Sequence, residues 1–229
     1  MIRISSLLFF LGFLDSQNYP DFEVLHFDNP HSSSLFLHTM SEENRFMAII
    51  DSGLDVQWHV RSNHMGLDFK VNQNYLTYYN KIEGSWILAN QMMNEVDTLM
   101  CEGSYVADYH DIQILENGNY LLQAYDSSFV DMSTIIDGGQ SVAWITGILV
   151  IQMFDINHEL ILEWNAWDHL DISQYTNLNL QSDAIEWMHG NSIEWVGNNQ
   201  IMVSNRASNE ILKIDLQTGE VIWHIGGPL

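Results

Sequence analysis

One ordered phrase recurs along this chain: an apolar strand, an Asp, a short turn, and a second strand carrying a Trp. Its copies are Met47-Ala48-Ile49-Ile50-Asp51 leading to Trp58, Ile151-Gln152-Met153-Phe154-Asp155 leading to Trp164, and Ile211-Leu212-Lys213-Ile214-Asp215 leading to Trp223. A degraded copy runs from Trp86 to Leu99. Tight Asn/Gly turns separate alternating segments at Asn72-Gln73-Asn74, Asn117-Gly118-Asn119 and Gly197-Asn198-Asn199. Asn and Gly reach positive φ cheaply, and two-residue hairpin turns demand it, so each reads as a hairpin. Two hairpins per unit, repeated every roughly forty to sixty-five residues, predict four-stranded β-propeller blades with insertions. The competing reading is a β-sandwich with coincidental turns. The fold expected is therefore all-β, a β-propeller.

Roughly four blades of about 40–45 residues fit 229 residues. The segment Ile225-Gly226-Gly227-Pro228-Leu229 follows a Trp-bearing strand with no further strand to close a ring. An open stack would expose unpaired edges, so the expectation is a fragment, or an end covered by a partner. Residues 1–14 carry Arg3 and then an apolar run from Ile4 to Leu14, the order of a signal peptide. That run is shorter than the roughly 20 residues a membrane span needs. No small-x-small cleavage site follows it, and a first buried strand is the alternative. Residues 15–229 are then an incomplete propeller domain, and export predicts a periplasmic or secreted protein.

Charge removes two partner classes. Thirty acidic residues against 7 basic ones, a formal charge of −23, do not fit nucleic acid or an anionic membrane surface. Disorder is excluded by a 46% hydrophobic share with 8 Trp, 9 Tyr and 10 Phe. The lone Cys101 permits no internal disulfide and reads as a buried structural thiol.

Two histidines hold equivalent places. His110 precedes the Asn117-Gly118-Asn119 turn by seven residues, and His189 precedes Gly197 by eight. Equivalent inner-strand positions of a propeller converge on its central channel, so two imidazoles meet there. The strand ending Ser204-Asn205-Arg206 folds back beside His189. Arg206, one of four arginines, then offers a donor fork for a tetrahedral oxyanion such as sulfate or phosphate. The alternative pairs Arg206 with a carboxylate such as Glu210 and leaves the histidines as satisfied core residues. Asp108, His110 and Asp111, or Asp168 and His169, have ligand-type side chains. Strand alternation points Asp111 away from Asp108 and His110, and no third ligand is implied, so neither a metal nor a cofactor is expected.

Several motifs together resemble the arylsulfotransferase (aryl-sulfate sulfotransferase) family. They are His189-Gly190-Asn191-Ser192-Ile193, Ser204-Asn205-Arg206, Thr218-Gly219-Glu220-Val221-Ile222-Trp223, Gly226-Gly227, Tyr109-His110-Asp111-Ile112 with Asn117-Gly118-Asn119, and Asp131-Met132-Ser133 with Gly138-Gly139. The likeness runs from about Phe27 to the C-terminus and is densest over residues 183–227. It implies a six-bladed, exported propeller. The implied reaction moves a sulfuryl group from a phenolic sulfate ester to an enzyme histidine and then to a phenol, without a nucleotide sulfate donor. His110 and His189 match sulfuryl-binding histidines, and Arg206 matches the arginine that neutralises the oxygens. The partners implied are an aryl sulfate and a phenol. The family's nucleophilic histidine falls beyond the pair matched by Gly226-Gly227, so this stretch by itself is expected to be inactive, and His224 lies too early to replace that histidine. A non-catalytic, secreted ligand-binding or scaffold propeller is the alternative function.

Overall fold

The computed structural model of the chain describes residues 19–28, 31–39, 45–62 and 65–227. The candidate signal segment at residues 1–14 lies outside them. Two compact units divide at Arg61/Ser62.

The first unit holds β1 (Leu35–His38), β2 (Phe46–Ile50) and β3 (Val56–Arg61), an antiparallel sheet in chain order. Phe46, Met47, Ala48 and Ile50 of the central strand are buried.

Three sheets make up the second unit. The first is β4 (Met65–Asn72), β5 (Tyr75–Asn80), β6 (Ser85–Ala89) and β7 (Glu95–Leu99). The second is β8 (Ala107–Ile114), β9 (Tyr120–Val130), β10 (Ala143–Phe154) and β11 (Leu160–Asn165). A one-turn helix, α1 (Ala166–His169), follows, and a short strand β12 (Ala184–Glu186) lies parallel to β10. The third sheet is β13 (Gly190–Gly197), β14 (Gln200–Asn205), β15 (Glu210–Asp215) and β16 (Val221–Gly226). Each four-stranded path pairs consecutive strands antiparallel, which is the blade of a β-propeller. The fold is the all-β propeller that the repeats predict, with four sheets among the described residues.

The repeated Asp has a physical reason. In the β2–β3, β10–β11 and β15–β16 turns its carboxylate accepts backbone N–H bonds from residues two to four further on. Asp51 takes Gly53 and Asp55, Asp155 takes Asn157 and Glu159, and Asp215 takes Gln217 and Thr218. Such side-chain caps close a turn in place of backbone partners. The degraded copy keeps the device with an amide, since Asn90 accepts from Met92 and Asn94. At the β8–β9 turn Gly118 has φ 85°, and a Cβ there would lie 2.8 Å from Ile156 Cδ1, so only glycine fits.

The tryptophans of the phrase do not share one role. Trp164 is buried and its indole N–H donates to the carbonyl of Gly219, tying the second blade to the third. Trp223 lies on the outermost strand and is 36% exposed. In the degraded copy the packing falls instead to Trp86, fully buried on the third strand, with its N–H on the Asp108 carbonyl. Trp164 and Trp223 both lie on the last strand of their blade, so what that strand packs against, more than residue type, decides which Trp reaches the core.

Side chains between adjacent blades form the core. Tyr79, Trp86 and Leu99 meet Ile112, Tyr120 and Leu122, while Leu149, Ile151 and Trp187 meet Ile193, Val203 and Leu212. The first strands of the three blades run side by side in the same direction. Asn72 donates to the Ile112 carbonyl, and Ile193 and Trp195 donate to Asp111 and Gln113. These strands therefore bring corresponding positions together at the same end.

Candidate functional site

A β-bulge places the first histidine. Pairing between β8 and β9 slips between Ala107 and Ile112, so His110 lies three residues into its strand and not at the start. Within the bulge, Asp108 Oδ1 accepts three bonds: the His110 backbone N–H at 3.0 Å, His110 Nδ1 at 2.8 Å and Gln123 Nε2 at 3.1 Å. Only 5% of the Asp108 side chain is exposed. An ionised carboxylate has no proton to give, so Nδ1 must carry one, and the neutral ring keeps its lone pair on Nε2. Tyr109 stacks on the same imidazole with centroids 4.2 Å apart.

The second histidine sits on the residue immediately before β13, in the left-handed region at φ 60°. Its support comes from the β12 segment, whose continuation bonds back to β10: Trp187 N donates to the Thr146 carbonyl and Met188 N to that of Gly147. Gly190 follows at a close approach, since a Cβ there would lie 2.6 Å from Gln123 Oε1. The turn after β14 is stitched to this stretch by Arg206 N on the His189 carbonyl and Ala207 N on the Met188 carbonyl, both 2.9 Å. Arg206 therefore returns beside His189, as the hairpin requires.

Glu186, the last residue of β12, joins the two. Its Oε1 lies 2.6 Å from His189 Nδ1, and Arg206 Nη2 donates to Oε1 at 3.1 Å and Oε2 at 3.0 Å. Burial would raise the Glu186 carboxyl, but the contacts from His189 and Arg206 outweigh it and hold the group below its ordinary value. Arg206 Nη2 and His189 Nδ1 are 3.3 Å apart, two donors converging on one oxygen. The His110 and His189 rings meet edge to face with centroids 5.0 Å apart, and Tyr125 lies 5.8 Å from His189 while its hydroxyl donates to the Gly190 carbonyl.

A third blade contributes a cation. Lys70 on β4 pairs with Asp68 at 2.6 Å and with Asp111, whose other oxygen accepts from Ile193 N. Burial pulls the Lys70 ammonium down, yet the bonds to Asp111 and Asp68 outweigh it and leave the group above its ordinary value, so it stays charged. Asp68 is pushed up, by burial first, against the pull of Lys70.

All three residues singled out in the sequence, His110, His189 and Arg206, are thus gathered into one cluster. It joins the guanidinium to two imidazoles whose Nε2 atoms are not committed to their carboxylates. The partner of Arg206 is Glu186, not Glu210: the Glu210 side chain is fully buried, and His224 Nδ1 lies 3.9 Å from its Oε2. Asp111 turns away from His110 to Lys70, as strand alternation requires. His169 ends α1 and stacks on Trp164 at 5.5 Å. Cys101 has a thiol pushed up to about 12, by burial first and then by Glu163 and Asp108, which suppresses the reactive thiolate.

A sequence model described as Arylsulfotransferase (ASST) matches residues 23–228.

The chain belongs to the arylsulfotransferase family.

No functionally curated protein matches it. Among solved structures it is similar to the glutaminyl cyclase of Myxococcus xanthus at 16% identity and TM-score 0.41, covering 80% of this chain and 62% of that one. The Pan2 WD40 domain of Neurospora crassa matches at 10% identity and TM-score 0.46, covering 87% and 49%. BamB of Moraxella catarrhalis matches at 11% and 0.40, covering 85% and 50%. The chain thus spans less than two thirds of the length of these proteins.

Sequence reasoning missed Glu186, Lys70 and Gln123. A Glu-x-x-His spacing was visible for Glu186, but nothing in the spacing tells that Arg206 joins it from a later turn. Lys70 is one of three lysines in a strongly acidic chain, and that rarity was its available signal.

Proposed function

We propose that this protein is an aryl-sulfate sulfotransferase propeller, moving a sulfuryl group from a phenolic sulfate ester to a phenol through a histidine intermediate. In the first step the S–O bond to the aryl group breaks, the phenolate leaves with the electron pair, and an S–N bond forms to an imidazole. In the second, the acceptor phenol oxygen attacks sulfur, the S–N bond breaks, and the phenolic proton passes to a base. On this reading His110 and His189, each taking a proton on Nε2 when the ester is bound, donate to the sulfuryl oxygens, Arg206 neutralises their charge, and the attacking imidazole is neither of these two. Splitting one displacement into two gives ping-pong kinetics. The charge spread over the transferring oxygens is met by fixed donors.

One observation carries the reading: two imidazoles from successive blades 5.0 Å apart, each with Nδ1 engaged by a carboxylate, and a guanidinium beside them. The apolar run at residues 4–14 after Arg3 supports placement in the periplasm or outside the cell. Among the described residues no helix is long and apolar enough to cross a membrane.

The test is 4-nitrophenyl sulfate. The chain should bind it, and Arg206→Ala and His189→Ala should lose that binding. The full-length natural protein should release nitrophenol when a phenol is added. Absence of release there contradicts the transferase. The alternative is a non-catalytic binding propeller, in which Glu186 engages the same guanidinium. Ester bound at Arg206 but never cleaved is its signature.

A further inference from the structure

The site contains a carboxylate where an anion site would be expected to exclude one. Around the two imidazoles stand Asp68 and Lys70 from β4, Asp108 and Asp111 from β8, Glu186 from β12 and Arg206 from the β14–β15 turn, with the Tyr109 and Tyr125 rings packed against them. Lys70 is committed to Asp68 and Asp111, and Asp108 to His110 and Gln123. Glu186 alone touches both the guanidinium and the second imidazole. Its side chain is 44% exposed and that of Arg206 58%, so burial does not force the contact.

We infer that Glu186 is the positioning residue of this site: it fixes His189 as the Nδ1–H tautomer, so that Nε2 is the atom offered to a ligand, and it holds Arg206 against that ring. The arrangement is the one by which a carboxylate behind an imidazole sets which nitrogen works. It also carries a penalty, because the carboxylate occupies part of the fork that an oxyanion would use. Asp108 performs the same service for His110 from a buried place, without touching an arginine. The inference deepens the sulfuryl reading, yet its first test needs no substrate.

Imidazole nitrogens of 15N-labelled protein report the tautomer directly when the rings are neutral. Both His110 and His189 should show a protonated Nδ1 and a bare Nε2. Glu186→Gln should release His189 from that tautomer and leave His110 unchanged. In the same variant, inorganic sulfate should bind about threefold to fivefold more tightly, the size expected for neutralising a partly exposed carboxylate at contact distance. A purely structural Glu186 would move neither signal. A wild-type His189 protonated on Nε2, or a tautomer unaltered by Glu186→Gln, overturns the inference. Sulfate affinity unchanged or weaker in the variant overturns the occupied fork. If sulfate binds neither form while the tautomer still switches, the sulfuryl reading fails and the positioning role stands.

Discussion

His110 and His189 come from successive blades at similar spacings from their turns, yet they are supported in opposite ways. Behind His110 stands Asp108, 5% exposed, its one oxygen accepting three donors. Behind His189 stands Glu186, 44% exposed and shared with an arginine that is itself 58% exposed. Propeller symmetry delivers the imidazoles to one place, but it does not fix their second partners. One arm is built into the core. The other is a clasp of half-exposed side chains.

The larger loss falls at the buried arm. Asp108→Ala leaves His110 Nδ1, its backbone N–H and Gln123 Nε2 without their acceptor, and should cost about 3 kcal/mol of folding free energy in urea unfolding. Glu186→Ala should cost no more than about 1 kcal/mol in the same experiment. Equal losses would erase the distinction. At the clasp itself, Arg206→Ala should weaken sulfate binding about tenfold or more, as expected for charge-assisted bonds. It should leave the unfolding free energy within about 1 kcal/mol of the parent, because the side chain is exposed.

Beneath the Arg206 turn, Glu210 sharpens the contrast between buried and exposed acids. Burial raises its carboxyl, and the hydroxyls of Ser208 and Tyr175 and the nearby His224 do not offset it. A carboxyl raised in the folded state adds stability below the ordinary glutamate range and loses it as pH rises through the raised value. Glu210→Gln should therefore match the parent in acid and melt a few degrees higher at neutral pH, within the range of 2–4 °C per kcal/mol usual for a chain of about this size. Glu186 has the opposite sign. Its lowered carboxyl contributes stability above the ordinary glutamate range that disappears as pH falls through the lowered value, and exposure keeps that contribution small.

The fold was legible because its devices are local. The Asp of each outer turn caps backbone N–H groups within four residues, and the Asn/Gly turns need positive φ, so a single sequence shows both. The site was legible where a local rule extends through symmetry: the spacing of His110 and His189 from their turns, and the return of Arg206 along a hairpin. It became illegible where contacts join distant segments. Glu186 meets Arg206 across twenty residues, and Lys70 meets Asp111 across forty-one. The bulge that sets Asp108 under His110 depends on the partner strand β9, and no spacing along β8 reveals it. For the same reason Trp58, Trp164 and Trp223 read alike in sequence and differ in burial, since a blade's outer strand faces whatever neighbour it has.

Titrating the labelled chain with 4-nitrophenyl sulfate, while following the ring nitrogens of His110 and His189 and the guanidinium of Arg206, probes the shared site at its centre. All three should move together with one dissociation constant and return when inorganic sulfate competes. Ester that binds while these three groups stay still, or that shifts them with unrelated affinities, would contradict the shared site.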